Sequence, residues 1–156
     1  MNKIISMSIF ALLMVGCATA PETTMTPLEI QAMQSREYPE DKEIVFPAVM
    51  SVFQDLGYTI ETAGMDTGLI RAQGAADSNA SSKFWLGISK VSQTAASAYI
   101  ETVGSTTKVR LNFVISEKSS YGYGQTDRQD TPIYDAQTYQ AAFERIESAI
   151  FVRSSN

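Results

Sequence analysis

The side chains that most often carry out chemistry in proteins are scarce in this chain of 156 residues. It contains no histidine, the side chain that ordinarily titrates near neutral pH and serves as general base or metal ligand. Its single cysteine, Cys17, lies close to the N-terminus. Gly122 and Gly124 form a glycine pair that is too short for a phosphate-binding loop. We therefore predict no catalytic residue, no cofactor site and no metal site.

A group of aspartates is the remaining candidate for chemistry. Asp127, Asp130 and Asp135 lie close together in sequence with Arg128, and Asp66 lies in another predicted turn. Such carboxylates could bind a divalent cation or act as acid and base, as in a cell-wall hydrolase. Their spacing matches no EF-hand loop. The alternative, which we favour, is that they are solvated loop residues and one helix cap, so that the protein is not an enzyme.

The cysteine ends an apolar segment of the kind found in secretory signals. Lys3 precedes residues 4–15, which are apolar except for two serines. This run is too short to cross a membrane as a helix and suits the hydrophobic part of a signal peptide. Residues 12–17, Leu-Leu-Met-Val-Gly-Cys, resemble the lipobox of bacterial lipoproteins. That family usually has leucine where this chain has Met14, a residue of similar apolar shape.

The resemblance implies that residues 1–16 are a lipoprotein signal peptide and that Cys17 is acylated. The alternative is an ordinary signal peptide cut after Ala18 or Ala20, where Ala-Thr-Ala has the small-x-small form. Several acyl chains on one residue anchor a protein stably. In related enterobacterial lipoproteins an aspartate after the cysteine favours the inner membrane, and here Ala18 is compatible with the outer membrane. We expect a lipid-anchored protein of the bacterial outer membrane whose domain faces the periplasm.

Charge argues against nucleic acid as a partner. Removal of residues 1–16 takes away Lys3 and leaves 11 basic and 17 acidic residues, a net charge of −6. Binding to nucleic acid or to a wide area of anionic lipid depends on neutralising phosphates with lysine and arginine. An acidic domain is therefore expected to contact the membrane through its lipid on Cys17.

Apolar periodicity predicts two amphipathic helices. Residues 41–56 carry apolar side chains at helical spacing, with the regular part starting near Phe46 because Pro47 suits only a first turn or a kink. Gly57 is placed to end this helix. Residues 136–152 form the second helix, with Asp135 as its N-cap. Its apolar stripe consists of Tyr139, Ala142, Phe143, Ile146, Ala149 and Ile150.

Five strands are predicted around these helices. They are residues 31–38, a hairpin of residues 58–62 and 68–73, and a second hairpin of residues 97–103 and 108–118. In the last of these, Val109, Leu111 and Phe113 alternate with polar residues, which is typical of a sheet covered on one face. Residues 17–30 are predicted to be a flexible tether, and residues 74–82 and 119–132 loops. Residues 83–91 remain ambiguous, because three apolar side chains share a helical face but Gly87 and the serine-rich flanks disfavour a helix.

These elements predict a single α+β domain, residues 31–153, in the order β-α-β-β-β-β-α with the helices on one face of an antiparallel sheet. A helix that ends in Asp-Leu-Gly-Tyr at residues 55–58, followed by residues 59–61 and then Thr-Gly-Leu-Ile at residues 67–70, is similar to the small domains of BamC-like envelope lipoproteins. The resemblance spans residues 31–152. It implies a helix-grip arrangement and an accessory role at the outer membrane, with no catalytic residues.

Aromatic residues outside the predicted core are candidates for partner contact. Tyr121, Tyr123 and Tyr134 lie on or beside a glycine-containing loop, and tyrosine is common at protein interfaces. Alternatively these rings fold back over the sheet edge. Trp85 lies in an apolar run between two lysines that could enter the membrane interface or, alternatively, complete the core.

Two functions fit this sequence. The first is a non-enzymatic interaction module that binds an envelope protein. The second is a carrier for a small apolar ligand or lipid, held in a cavity between helices and sheet. Such a cavity would be lined by Phe53, Leu111, Phe113 and Phe143.

Overall fold

The computed structural model describes residues 25–77, 89–120 and 126–155, which form three helices and a six-stranded antiparallel sheet. The predicted α+β class is confirmed. The elements in chain order are α1 (Pro27–Gln34), β1 (Ser35–Tyr38), α2 (Lys42–Asp55), β2 (Thr59–Gly64), β3 (Leu69–Asp77), β4 (Ser89–Val103), β5 (Thr106–Ser120), β6 (Thr126–Pro132) and α3 (Ala136–Ser154).

The first helix corrects the predicted tether and first strand. Thr26 caps α1 with its hydroxyl, which accepts from the backbone N–H of Glu29 at 3.3 Å. In return the Glu29 carboxylate accepts from the Thr26 N–H at 2.7 Å, which completes a capping box, and Pro27 occupies the first helical turn. The domain therefore includes residues 27–30. Only Ser35–Tyr38, the second half of the predicted strand, pairs with the sheet.

The second helix is confirmed, but it begins earlier than predicted. It starts at Lys42 instead of near Phe46, so Pro47 lies inside the helix, in its second turn. A proline there cannot donate to the carbonyl of Glu43. The buried face of the helix, which packs against α3 and the sheet, outweighs that loss.

Gly57 ends this helix as predicted. Its φ of 85° is the left-handed conformation that glycine adopts without steric cost. The Gly57 N–H bonds to the carbonyl of Gln54 and the Tyr58 N–H to that of Phe53, both at 2.9 Å. This double pattern is a Schellman motif, and it turns the chain directly into β2.

Both predicted hairpins are present, with longer strands than expected. The strand order is β1-β5-β4-β3-β2, and β6 pairs with the same edge of β5 as β1 does. Residues 74–77, predicted as loop, continue β3, and Thr126–Pro132, also predicted as loop, forms β6. Every residue of β6 is exposed, so this edge strand has no apolar alternation that a sequence pattern could reveal. The ambiguous segment lies outside the described residues except for residues 89–91, which begin β4.

The core lies on one face of the sheet, beneath α2 and α3. Val109, Leu111 and Phe113 of β5 are each no more than 2% exposed. The Phe113 ring meets that of Tyr139 edge-on, with centroids 5.2 Å apart, and lies 6.3 Å from that of Phe53. The α3 stripe is buried as predicted, with Ala149 partly so. Because both long helices cover this face, the opposite face of the sheet is left without either of them.

Candidate functional site

Most of the candidate contact and lipidation residues named from the sequence lie outside the described residues. These are Tyr121, Tyr123, Trp85 and the lipidation candidate Cys17. The remaining one, Tyr134, follows β6 and is 49% exposed.

Two of the four candidate aspartates, Asp130 and Asp135, are occupied by local structural interactions, whereas Asp127 lies in β6 opposite Ser119 of β5. Asp130 accepts from the Ser116 hydroxyl at 2.5 Å and from Nε of Arg128 at 3.0 Å. These two hydrogen bonds, that from Ser116 foremost, hold the pKa of Asp130 below its ordinary value. Asp130 and Arg128 therefore form an ion pair within β6, and their hydrogen bonds with Ser116 link that pair to β5.

Asp135 caps α3, as the sequence predicts. Its carboxylate accepts from the Thr138 hydroxyl at 2.5 Å and from the Thr138 N–H at 3.0 Å, and these bonds lower its pKa. Asp66 is in the turn between β2 and β3. Among the residues that the structure describes, no three His, Cys, Asp or Glu side chains come together in a way that could hold a metal ion.

The candidate site is the sheet face opposite the two long helices, which we call the open face. The register places Asn112 of β5 beside Ser97 of β4, and Ser97 beside Arg71 of β3. One pair further along, Arg110 lies beside Tyr99, and Tyr99 beside Leu69. Since side chains alternate along a strand, all of these project away from the core.

Two adjoining hollows lie on the open face and share Ser97 and Asn112 in their linings. One, of about 440 Å³, we call the aromatic hollow. Its further lining includes Ile30, Leu69, Tyr99, Arg110, Pro132 and Tyr134. The other, of about 460 Å³, we call the polar hollow. Its further lining includes Glu61, Arg71, Gln73, Arg128 and Asp130.

A buried hydrogen-bond chain connects the core to the aromatic hollow. Arg110 donates from Nη2 to the Gln34 side-chain oxygen at 3.3 Å. The Gln34 amide, whose residue is only 4% exposed, donates to the Tyr139 hydroxyl at 3.4 Å. That hydroxyl also accepts the backbone N–H of Phe113 at 3.3 Å, at the gap where β1 has ended and β6 has not begun. Tyr139 thus supplies a partner that a neighbouring strand would otherwise provide.

This arrangement predicts that Tyr139→Phe lowers the free energy of unfolding by about 2 kcal/mol, because the buried Phe113 N–H loses its acceptor. Urea denaturation measures the change, and amide exchange at Phe113 should accelerate. Tyr99→Phe removes a hydroxyl from a side chain that is 46% exposed and serves as the matched control. Equal effects of the two changes would show that the Tyr139 hydroxyl has no structural role.

Sequence reasoning missed the open face as a site, although one signal pointed to it. The polar alternation of β5 placed Arg110 and Asn112 on the wet side of the predicted sheet. The alternation does not predict the strand register, and it is the register that brings Tyr99 of β4 and Arg71 of β3 close to Arg110 and Asn112.

In the described part of the chain, fold and site define a small α+β domain with one sheet face covered by α2 and α3 and an opposite face that neither of these helices covers. No family model matches this chain, and no curated protein matches it. Within residues 25–77, 89–120 and 126–155, no helix combines the length and apolar character needed to cross a membrane.

Proposed function

We propose that this protein is a non-enzymatic accessory protein of the bacterial outer membrane, anchored by lipid on Cys17, whose domain binds an envelope protein through the open face. One observation carries the proposal. Tyr99 and Tyr134, 46% and 49% exposed, border the same hollow on a sheet face that α2 and α3 leave uncovered.

The composition of the face suits protein contact. Tyrosine and arginine are enriched at interfaces, where a large ring or a planar guanidinium combines apolar area with hydrogen bonding. The aromatic hollow has both, since Arg110 lies in its wall with the two tyrosines. The Gln34 amide orients that arginine and reduces the conformational freedom it would lose on binding.

Core packing favours this function over a carrier of apolar ligands. The four side chains proposed to line an internal cavity, Phe53, Leu111, Phe113 and Phe143, are at most 2% exposed. The rings of Phe53 and Phe113 contact each other, and none of the four lines the hollows described above. A ligand between helices and sheet would have to displace this packed cluster, at a cost of several kcal/mol.

Photo-crosslinking in living cells tests the proposal. A photoreactive phenylalanine analogue in place of Tyr134 is expected to give a discrete adduct with one envelope protein. The same analogue in place of Phe151 is the control, because Phe151 is 71% exposed but belongs to α3, on the helix-covered side. Absence of an adduct from position 134 in every growth condition, or the same adduct from both positions, would contradict the proposal.

A further inference from the structure

We propose that the open face recognises carboxylates on its partner, which is an extended acidic segment of a polypeptide with two acidic residues about four positions apart. Arg110 binds one carboxylate and Arg71 the other. This inference rests on the proposed function, because it names the chemistry of the partner at the same face.

The charge of Arg110 is not balanced within the sheet, in contrast to that of its neighbour on β5. Lys108 has Glu37 of β1 on one side and Glu101 of β4 on the other. Arg110, two residues further along the same strand, has Ser35 and Tyr99 in the corresponding places. The register therefore sets two acidic residues beside Lys108 and none beside Arg110.

Arg71 in the polar hollow also lacks an ion pair within the described part of the chain. Its register partners, Thr62 and Ser97, are uncharged, and Glu61, the extra residue at the β2 register shift, lines the same hollow without pairing with it. Among the described residues, neither Arg71 nor Arg110 forms an ion pair, whereas Arg128 in the same hollow is paired with Asp130. Two arginines without an ion pair on one face of a chain with net charge −5 offer guanidinium donors that are complementary to carboxylates.

Arg110 is held in place by buried structure. One of its N–H groups donates to Gln34, which is fixed in turn by Tyr139 of the core. A guanidinium has five N–H donors, so a fork of donors remains for bidentate contact with a carboxylate. A buried amide that orients an exposed arginine distinguishes this position from an ordinary mobile surface charge.

The geometry of the sheet sets the spacing of the two carboxylates. Arg71 and Arg110 lie on strands separated by β4, and their partners on β4, Ser97 and Tyr99, are two residues apart. With strands about 4.8 Å apart and a rise of about 3.4 Å per residue, the two Cα atoms are about 12 Å apart. An extended peptide covers about 13 Å in four residues and presents those side chains on the same side. Ser97 and Asn112, between the arginines, offer hydrogen bonds to its backbone.

Binding of defined peptides to the full chain, purified in detergent, tests the inference by fluorescence anisotropy. The probe is the labelled peptide TETLTET, in which threonines favour an extended chain and the glutamates are four residues apart. We expect it to bind about tenfold more tightly than its glutamine twin TQTLTQT, the ratio that corresponds to about 1.4 kcal/mol. The isomer TEETLTT has the same charge at another spacing and should bind more weakly than the probe.

Variants assign the effect to individual arginines. Arg110→Ala and, independently, Arg71→Ala should each weaken binding of TETLTET about tenfold. Lys108→Ala should change it less than about twofold, because the register sets the acidic residues Glu37 and Glu101 on either side of Lys108. Urea denaturation of each variant verifies folding. Undetectable binding of TETLTET, equal binding of the glutamine twin, or an equal effect of Lys108→Ala would overturn the inference.

The crosslink at position 134 separates this inference from the proposed function. If the adduct forms in wild type and persists unchanged in Arg110→Ala and Arg71→Ala, the open face is an interface but carboxylates are not what it recognises. If the adduct forms in wild type and is lost in both arginine variants but kept in Lys108→Ala, the inference is supported. Failure of the crosslink in wild type contradicts the proposed function itself.

Discussion

Gly68→Ala is expected to lower the free energy of unfolding by about 3 to 5 kcal/mol, a large part of the total stability of a small domain. Two costs combine. Gly68 has a φ of 70°, in the left-handed region where a side chain costs about 1 to 2 kcal/mol. In addition, a Cβ at this position would collide with the backbone carbonyl of Ile100 on β4, which cannot move aside as a side chain can. Urea denaturation of the purified domain measures the loss.

Gly104→Ala is the matched control, because it shares the first cost without the second. Gly104, in the turn between β4 and β5, has a φ of 62° but no atom within 4 Å of an added Cβ. Gly104→Ala should therefore lower the free energy of unfolding by only about 1 to 2 kcal/mol. Similar losses of unfolding free energy at the two positions would mean that a Cβ at position 68 does not collide with the Ile100 carbonyl at a measurable cost.

The position of Gly68 explains why a close approach is needed there. The Gly68 carbonyl accepts the N–H of Ile100 at 2.8 Å, directly before β3 begins pairing with β4. This bond fixes the register that sets Leu69 beside Tyr99 and Arg71 beside Ser97. A bulkier residue at position 68 would therefore disturb the open face as well as the turn.

Local patterns predicted the elements that bury a regular apolar face. The last helix and the β5 strand have strong apolar periodicity, of about 3.6 and 2 residues respectively. Asp135 is a residue type that caps the start of a helix, and Gly57 one that ends a helix. The first helix had a readable signal as well. Thr26 and Glu29 have capping-box spacing around Pro27, but the helix has little apolar periodicity to draw attention to it.

What the sequence could not give is the pairing of distant strands. The polar strand β6 is held by backbone bonds to β5, and every one of its residues is exposed, so it resembles a loop in composition. The open face depends on the same long-range pairing. Arg71, Tyr99 and Arg110 come from three strands, and only the register makes them neighbours.

Cys17→Ser is expected to move the protein completely from the membrane fraction to the soluble fraction of the cell. In lipoproteins the lipid is attached to the cysteine sulfur through a thioether, and a serine hydroxyl cannot form one. No other thiol exists in the chain to take its place. Anchoring by several acyl chains is effectively stable, so its loss should change the distribution from nearly all membrane-bound to nearly all released. Cell fractionation, with mass spectrometry of the N-terminal peptide, measures both location and acylation.

The domain itself should not change in this variant, which makes folding an internal control. Among the residues that the structure describes, the first with a defined role in the fold is Thr26, the cap of α1, and the described core begins beyond it. The urea denaturation curve of Cys17→Ser should therefore match that of the wild type. Its affinity for TETLTET should also be unchanged, because Arg71 and Arg110 lie on the folded sheet. Serine at position 17 with unaltered membrane association and unaltered processing would contradict the lipobox interpretation. Release accompanied by lost peptide binding would instead show that the anchor segment contributes to the open face.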